Sequence, residues 1–364
     1  MFVRNAWYVA ATQNEIADKM LARTILNEPV VLFKNGDGEI CALEDRCCHR
    51  GAPLSLGDIT SCGVRCGYHG MMFDRSGKCV DIPGQTTIPA RAKVKSYPIV
   101  AKGDYIWIWM GDAEKAEPAD VLDYPPDDPE NWPRSNDMLH LKASYVMVLE
   151  NLMDLSHLSY LHRTSIGSSE NDSANATMDV KRTPRGMKFL RVMRNADAPQ
   201  NWLKRYPTGK KVDRWSDFEY VAPNSIMQYS GGVNAGDYDA GVRSGSHLGR
   251  TLHTVTPETE KSCFYFFNKA DGYTKFEDPN RERSWKPLTD VFKEDAHMLE
   301  QQQLRLDNFD AKNLLDINTD VARVQMIRVL NERIRQEQEE MQKQAQEKAA
   351  QGQKQPSQPS MQAG

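Results

Sequence analysis

Long apolar runs are missing from this sequence of 364 residues. No stretch approaches the roughly eighteen apolar residues that a membrane-spanning helix needs, so no membrane span is expected. One-sided charge is missing too. Lys and Arg total 46 against 50 Asp and Glu, a formal net charge of −4 with no concentrated basic block, so no nucleic-acid partner is expected. The opening Met1-Phe2-Val3-Arg4-Asn5-Ala6-Trp7 lacks the apolar core of an export signal, which predicts a cytoplasmic protein. Cysteine is scarce and unevenly spread: of seven, six fall between 41 and 79, and the last is Cys263. An odd number without an export signal argues against a disulfide framework. Crowding beside histidines points instead to metal in a reducing compartment. The remaining composition, 40% hydrophobic and 26% charged, is that of a folded chain long enough for two domains.

Residues 1–112 read as short strands and turns. Val30-Val31-Leu32-Phe33 and Ile40-Cys41-Ala42-Leu43 flank the turn signal Lys34-Asn35-Gly36-Asp37-Gly38, and Tyr105-Ile106-Trp107-Ile108-Trp109-Met110 has strand composition. Residues 113–135 carry five prolines among Asp and Glu and read as a linker or surface wrapping. Residues 136–335 mix a helix near 145–162, strands such as Ser262–Phe267, and helical patterns from about 281 onward. The expected class is therefore α+β with an antiparallel sheet. Residues 336–364 are a Gln-rich, low-complexity tail, expected to be frayed helix and then disorder.

Two clusters carry the first chemical signal: Cys47-Cys48-His49-Arg50-Gly51 and Cys66-Gly67-Tyr68-His69-Gly70. Each supplies one thiolate and one imidazole from a glycine-flanked loop. Two sulfide-bridged irons use that split, with Cys47 and Cys66 on one and His49 and His69 on the other; neutral imidazole raises the potential of such a cluster. A Cys2His2 zinc site would use the same ligand types. Cys41, Cys62, Cys79 and Cys263 read as packing residues.

A second signal lies in Asn151-Leu152-Met153-Asp154-Leu155-Ser156-His157-Leu158-Ser159-Tyr160-Leu161-His162. Asn151, Asp154 and His157 recur at three-residue steps and share a helix face. His157 and His162 lie about 140° apart on an ideal helix, so one ion meets both rings only if the helix bends or ends there. Non-haem iron(II) usually takes two His and one carboxylate. Asp295 sits in an apolar stripe with Val291, Phe292, Met298 and Leu299, where an unligated carboxylate would be costly. Glu294, flanked by Asp290 and His297, reads as a solvated charge. Asp295 is the candidate.

Cys47-x-His49-Arg50-Gly51-Ala52-Pro53-Leu54 with Cys66-x-Tyr68-His69-Gly70 resembles the Rieske [2Fe–2S] signature, although Cys48 stands where that family usually has proline. Asp154-x2-His157-x4-His162 with the distant Asp295 is similar to the iron site of Rieske oxygenases. The resemblance runs from residue 1 to about 335. Arg4–Ala10, Ile82-Pro83-Gly84-Gln85, Ile106–Trp109, Asn151–Leu155 and Thr256-Pro257-Glu258-Thr259-Glu260 look most like the vanillate O-demethylase, dicamba O-demethylase and toluenesulfonate methyl-monooxygenase group.

That resemblance implies a small all-β Rieske domain before a catalytic domain whose antiparallel sheet is flanked by helices, of helix-grip type. It implies a [2Fe–2S] cluster on Cys47, His49, Cys66 and His69, and a mononuclear Fe(II) on His157, His162 and Asp295. Asp154 would bridge the centres across a homotrimer, accepting hydrogen bonds from His157 of its own chain and His69 of the next, with Asn151 a polar neighbour. Electrons would come from a separate NAD(P)H-dependent flavin/iron–sulfur reductase. With O2 they would serve hydroxylation of a methyl or methoxy group of an aromatic carboxylate or sulfonate, a reaction of aromatic catabolism. His253, with Arg250 beside it, is expected to hold the substrate anion, and Trp285 and Gln228 to line its pocket. The rival expectations are a ring-hydroxylating dioxygenase or N-demethylase of the same family and, from another class, a zinc-stabilised binding module.

Overall fold

A computed structural model of the chain describes residues 1–17, 19–125, 128, 132, 134–163, 165–167, 169–199, 202–203, 206, 208–272, 281–309 and 314–352, with the backbone alone at 281–287 and 348–352. In it the expected hairpin forms. Strands β3 (Glu28–Lys34) and β4 (Ile40–Glu44) pair antiparallel, and β2 (Leu21–Ile25) joins β3 on its other edge. The Asn35 side chain closes the turn by accepting the Asp37 and Glu39 N–H groups at 3.1 and 2.8 Å. A second small sheet is built in sequence order from β5 (Asp58–Ile59), β6 (Gly63–Arg65), β7 (Met72–Asp74) and β8 (Cys79–Asp81). Val31, Phe33, Leu43, Val64 and Phe73, all fully buried, form the core between these two sheets.

The remaining strands of the N-terminal half join it to the rest of the chain: one face of their sheet, with Tyr8, Ile106 and Ile108, packs with Val30, Leu32 and Ala42, and the other meets the large sheet. Strands β1 (Trp7–Thr12), β9 (Ile99–Lys102) and β10 (Tyr105–Trp109) form a three-stranded sheet in the order β1-β10-β9. Its Trp7, Val9, Tyr105, Trp107 and Trp109 pack on Leu252, Phe264 and Phe266. Thr256 Oγ1 donates to the Val9 carbonyl at 2.7 Å. The segment after β10 wraps this surface, burying Val121 and Leu122 while Glu117 O accepts the Trp7 indole N–H at 3.0 Å.

The large sheet has seven antiparallel strands in the order β11-β17-β16-β15-β14-β13-β12. These are β11 (Arg134–Leu141), β12 (Thr177–Thr183), β13 (Gly186–Asp197), β14 (Lys211–Val221), β15 (Ser225–Asn234), β16 (Leu248–Thr259) and β17 (Ser262–Asp271). Residues alternate between faces along each strand. Leu252, Phe264 and Phe266 therefore meet the β1–β10 sheet, while His253, Tyr265 and Phe267 face the helices. Of those helices, α1 (Tyr145–Met153) is capped by Ser144, whose side chain accepts the Val146 N–H. It is followed by short helices α2 (Leu158–Leu161) and α3 (Glu170–Ala174) and by the long α4 (Arg281–Leu306) and α5 (Val321–Gly352). Phe292 of α4 anchors the face: its ring lies 4.7 Å from Phe267 and 5.5 Å from Tyr265. Burying such a ring is worth about 2–3 kcal/mol.

Two sequence expectations change. The helix read over 145–162 stops at Met153, because Asp154 leaves helical dihedrals and its Oδ1 accepts the Ser156 N–H at 2.8 Å. The Gln-rich segment is helical up to Gly352, beyond which the tail lies outside the described residues. Within that helix Glu337 is buried and accepts the backbone N–H groups of Arg4 and Asn5 at 2.6 and 2.5 Å. A composition poor in apolar residues misses this, since a single carboxylate satisfying two N-terminal donors holds the segment down.

Candidate active site: two metal-binding regions

The two cysteine loops repeat one hydrogen-bond plan. In the first, Cys47 N donates to Ala52 O at 2.8 Å and Gly51 N to Cys47 O at 2.9 Å. In the second, Cys66 N donates to Met71 O at 2.8 Å and Gly70 N to Cys66 O at 3.0 Å. Both turns close on a glycine in the left-handed region, with φ of +72° at Gly51 and +73° at Gly70. The Cys47 and Cys66 thiols meet inside the module, both buried. His49 and His69 stand exposed at its tip with ring centroids 4.7 Å apart. Burial pushes the Cys47 thiol up to about 11, so the charge of a metal is needed to hold it as thiolate. Two inner thiols and two outer imidazoles fit a cluster split between the ligand types. Cys41, Cys79 and Cys263 are buried packing residues as expected, but Cys62 is exposed, because it lies in the turn between β5 and β6.

The second region uses the helix break. With α1 ended at Met153, His157 and His162 flank the single turn of α2 and bring their rings to 5.3 Å. Asp295 projects from α4 between them: its Oδ1 is 3.4 Å from His157 Nε2 and 3.1 Å from His162 Nε2. One ligand atom from each of the three lies within 4.8 Å of the others. Burial pushes the Asp295 carboxyl up, but the bonds from His157 and His162 outweigh it and hold the group down at about 2. Asn151 Nδ2 donates to the same Oδ1 at 3.1 Å.

Glu294 is exposed, as its reading as a solvated charge expects, yet its carboxylate also reaches this site. Its Oε2 lies 2.7 Å from His162 Nδ1 and orients the ring so that Nε2 faces Asp295 Oδ1 at 3.1 Å. The helical spacing on α4 was right, but it held no information on which segment would cover that edge. Asp154 departs from expectation as well. It is half-buried and bonded to Ser156 N–H, with no hydrogen bond to His157, because it caps the end of α1.

A cavity of about 810 Å³ opens from the triad across the sheet face. The cross-strand row Phe218, Gln228, Thr251 and Lys269 crosses its floor, with His253 in the adjoining row. His253 is fully engaged: Nδ1 lies 2.7 Å from the Tyr265 hydroxyl and Nε2 2.8 Å from Gln228 Oε1. Burial holds its pKa down at about 3, so the ring is neutral and brings no charge to an anion. Arg250 does not share the cavity. Residues three apart on a strand point to opposite faces, and Arg250 stacks on Trp132 at 4.1 Å on the far side. Trp285 lies in the first turns of α4, and its side chain is outside the described residues.

The comparisons with known proteins decide what these sites belong to. The Rieske [2Fe–2S] domain family matches residues 6–98. The vanillate O-demethylase oxygenase C-terminal domain family matches residues 141–336. The chain is a Rieske oxygenase of the vanillate O-demethylase family.

Among relatives of this oxygenase, the toluene-4-sulfonate monooxygenase system iron–sulfur subunit of Comamonas testosteroni is 35% identical over 88% of the chain and 93% of that protein. The vanillate O-demethylase oxygenase subunit of Pseudomonas sp. strain HR199 is 35% identical over 93% and 97%. The crystal structure of dicamba monooxygenase bound to 3,6-dichlorosalicylic acid superposes with a TM-score of 0.83, at 31% identity, covering 93% of this chain and 99% of that one. The structure of dicamba monooxygenase with non-haem iron and dicamba matches with a TM-score of 0.75, at 30% identity, over 94% and 99%. A Rieske cluster and a mononuclear iron are therefore the cofactors of this oxygenase, and the zinc-module alternative falls. The expected succession of a Rieske domain and an antiparallel-sheet catalytic domain holds.

Proposed function

We propose that the protein is the terminal oxygenase of a Rieske monooxygenase system that hydroxylates a methyl or methoxy group of an aromatic carboxylate or sulfonate. The observation that carries this reading is the His157–His162–Asp295 triad at the end of a cavity large enough for one substituted ring. When bound, the cluster supplies single electrons and the iron activates O2. The chain's own groups do the rest. Glu294 and Asn151 orient the ligands, Leu155, Phe218, Val291 and Phe292 shape an apolar slot, and the neutral His253–Gln228 pair offers hydrogen bonds within it. A hydroxylated methoxy group is a hemiacetal and breaks down to phenol and formaldehyde. The overall balance is one aryl methyl ether, O2, NAD(P)H and a proton giving phenol, formaldehyde, water and NAD(P)+.

Cys47, His49, Cys66 and His69 hold the cluster in this reading, and their exposed imidazole tip supports electron entry and exit there. A separate NAD(P)H-dependent flavin/iron–sulfur reductase delivers the electrons. The working assembly is a homotrimer, in which Asp154, half-buried at the end of α1, receives the neighbouring chain's His69. Among the described residues no helix is long and apolar enough to cross a membrane, which is compatible with a cytoplasmic location.

The test is product analysis with a surrogate reductase. Formaldehyde from methoxybenzoates, or an aryl methanol from methylbenzenesulfonate, supports the reading. A cis-diol would replace it with ring dioxygenation, and formaldehyde from N-methyl substrates alone would replace it with N-demethylation.

A further inference from the structure

The cavity wall carries one cation, Arg214, that makes no ion pair among the described residues. Arg214 lies on the inward register of β14 with Ser216 and Phe218, and all three line the cavity. Its guanidinium lies 4.9 Å over the ring of Trp202. That indole fits against the sheet only because position 232 is glycine: a Cβ there would fall 2.1 Å from Trp202 Cζ3. Nη2 donates to Ile166 O at 3.2 Å, and Nη1 is buried without a partner. No described carboxylate forms an ion pair with it. Burial, with Arg191 nearby, holds its pKa down to about 10, so it remains a cation at neutral pH.

A half-buried guanidinium with one hydrogen bond and a buried, unpartnered Nη1 is costly unless an anion completes it. Ile166 belongs to the loop that leaves the triad, in which Ser165 N and Gly167 N both donate to His162 O, at 3.1 and 3.0 Å. Arg214 is thus tied to the same loop as His162, while the carboxylates that line the cavity are engaged elsewhere: Asp197 pairs with Lys211, and Asp295 with His157 and His162. The other cationic candidates are spent: Arg163 pairs with Glu170, Lys269 already has a partner, and His253 is neutral.

We propose that Arg214 is the anchor for the substrate's anionic group, taking the carboxylate or sulfonate of the aromatic acid so that the methyl or methoxy carbon is presented to the triad. This rests on the aromatic-acid reading above and assigns its specificity to one residue. Trp202 and Ile166 O keep the guanidinium plane in place, so the anion meets a preset fork rather than a free side chain.

The test uses holoenzyme with both centres loaded, titrated by tryptophan fluorescence with 4-methoxybenzoate, 4-methylbenzenesulfonate and the neutral methyl 4-methoxybenzoate. Arg214→Met is expected to weaken both anions about 10- to 100-fold and to leave the ester within about threefold; Arg214→Lys should recover part of the loss. Cluster absorbance and melting temperature are followed in both variants, and if Arg214→Met does not fold, Arg214→Lys and Arg214→Gln carry the comparison. Anion affinity unchanged in a folded variant, or an equal loss for the ester, overturns the anchor. Two outcomes separate it from the functional reading. Formaldehyde from the wild type with Arg214 indifferent to charge would sink the anchor alone. Arg214-dependent anion binding with no oxygenated product from any aromatic acid would sink the demethylase reading alone.

Discussion

The two metal-binding regions of this oxygenase are built on opposite plans. The cluster loops are local: each is a six-residue turn with its cysteine, histidine and left-handed glycine in one stretch, at 47–52 and 66–71. The triad is assembled from afar, with His157 and His162 on one side of a broken helix and Asp295 more than a hundred residues later on α4. A local site is fixed by turn chemistry, so its weak point is backbone conformation. An assembled site is fixed by the packing of α1 and α4 on the sheet and by hydrogen bonds to its ligands, so its weak points are side chains.

The largest effect that would sharpen this contrast is at the shared carboxylate. Asp295→Ala removes the group that bridges both imidazoles, and turnover should fall at least about a thousandfold while the cluster's absorbance is kept. Losing the cluster as well would show that the two regions are not independent. In the loops the damage should come through the backbone. Gly70→Ala puts a Cβ at φ +73° and 2.9 Å from Pro83 Cγ, which should cost about 1–2 kcal/mol and lower cluster content without touching iron at the triad. Metal and sulfide analysis of the one variant reads both.

Smaller, and specific to the assembled site, is Glu294→Gln. Losing the carboxylate on His162 Nδ1 should weaken iron about 10- to 100-fold by chelator competition, with the cluster unaffected. A further effect concerns pH. His253 is held neutral, because burial pushes its folded pKa down to about 3 from the ordinary 6.5. Between those values the unfolded chain binds a proton that the folded chain refuses, so stability falls as pH drops from 6.5 toward 3, by about 1.4 kcal/mol per pH unit from this group. Chemical unfolding at pH 7 and pH 5 should therefore show about 2 kcal/mol less difference in His253→Asn than in the wild type. The smallest effect is expected at Arg250, on the far face of the sheet: Arg250→Ala should change substrate affinity by less than about twofold and cost only the stacking on Trp132, about 0.5–1 kcal/mol.

The same contrast explains what was legible in the sequence. That Cys47, His49, Cys66 and His69 come together could be read directly, because each turn holds its cysteine, histidine and glycine in one stretch. The meeting of Asp295 with His157 and His162 was legible for a different reason: a carboxylate in an apolar stripe must find partners. For Glu294 the exposure was legible but the contact with His162 was not, since its helix says where it points but not that His162 arrives there. The break at Asp154 was anticipated only as a geometric condition on the two histidines. The pairing of Arg250 with His253 ignored strand parity, and Arg214 drew no notice because one arginine in a strand looks like a surface residue until Trp202 and the cavity are in place. The Gln-rich segment was misjudged at Glu337, where two backbone donors outweigh composition.

The central claim is that one folded chain holds two separate iron centres, and metal and acid-labile sulfide analysis of anaerobically purified protein tests it most directly. About three irons and two sulfides per chain are expected. Zinc in place of iron, or iron without labile sulfide, would contradict it.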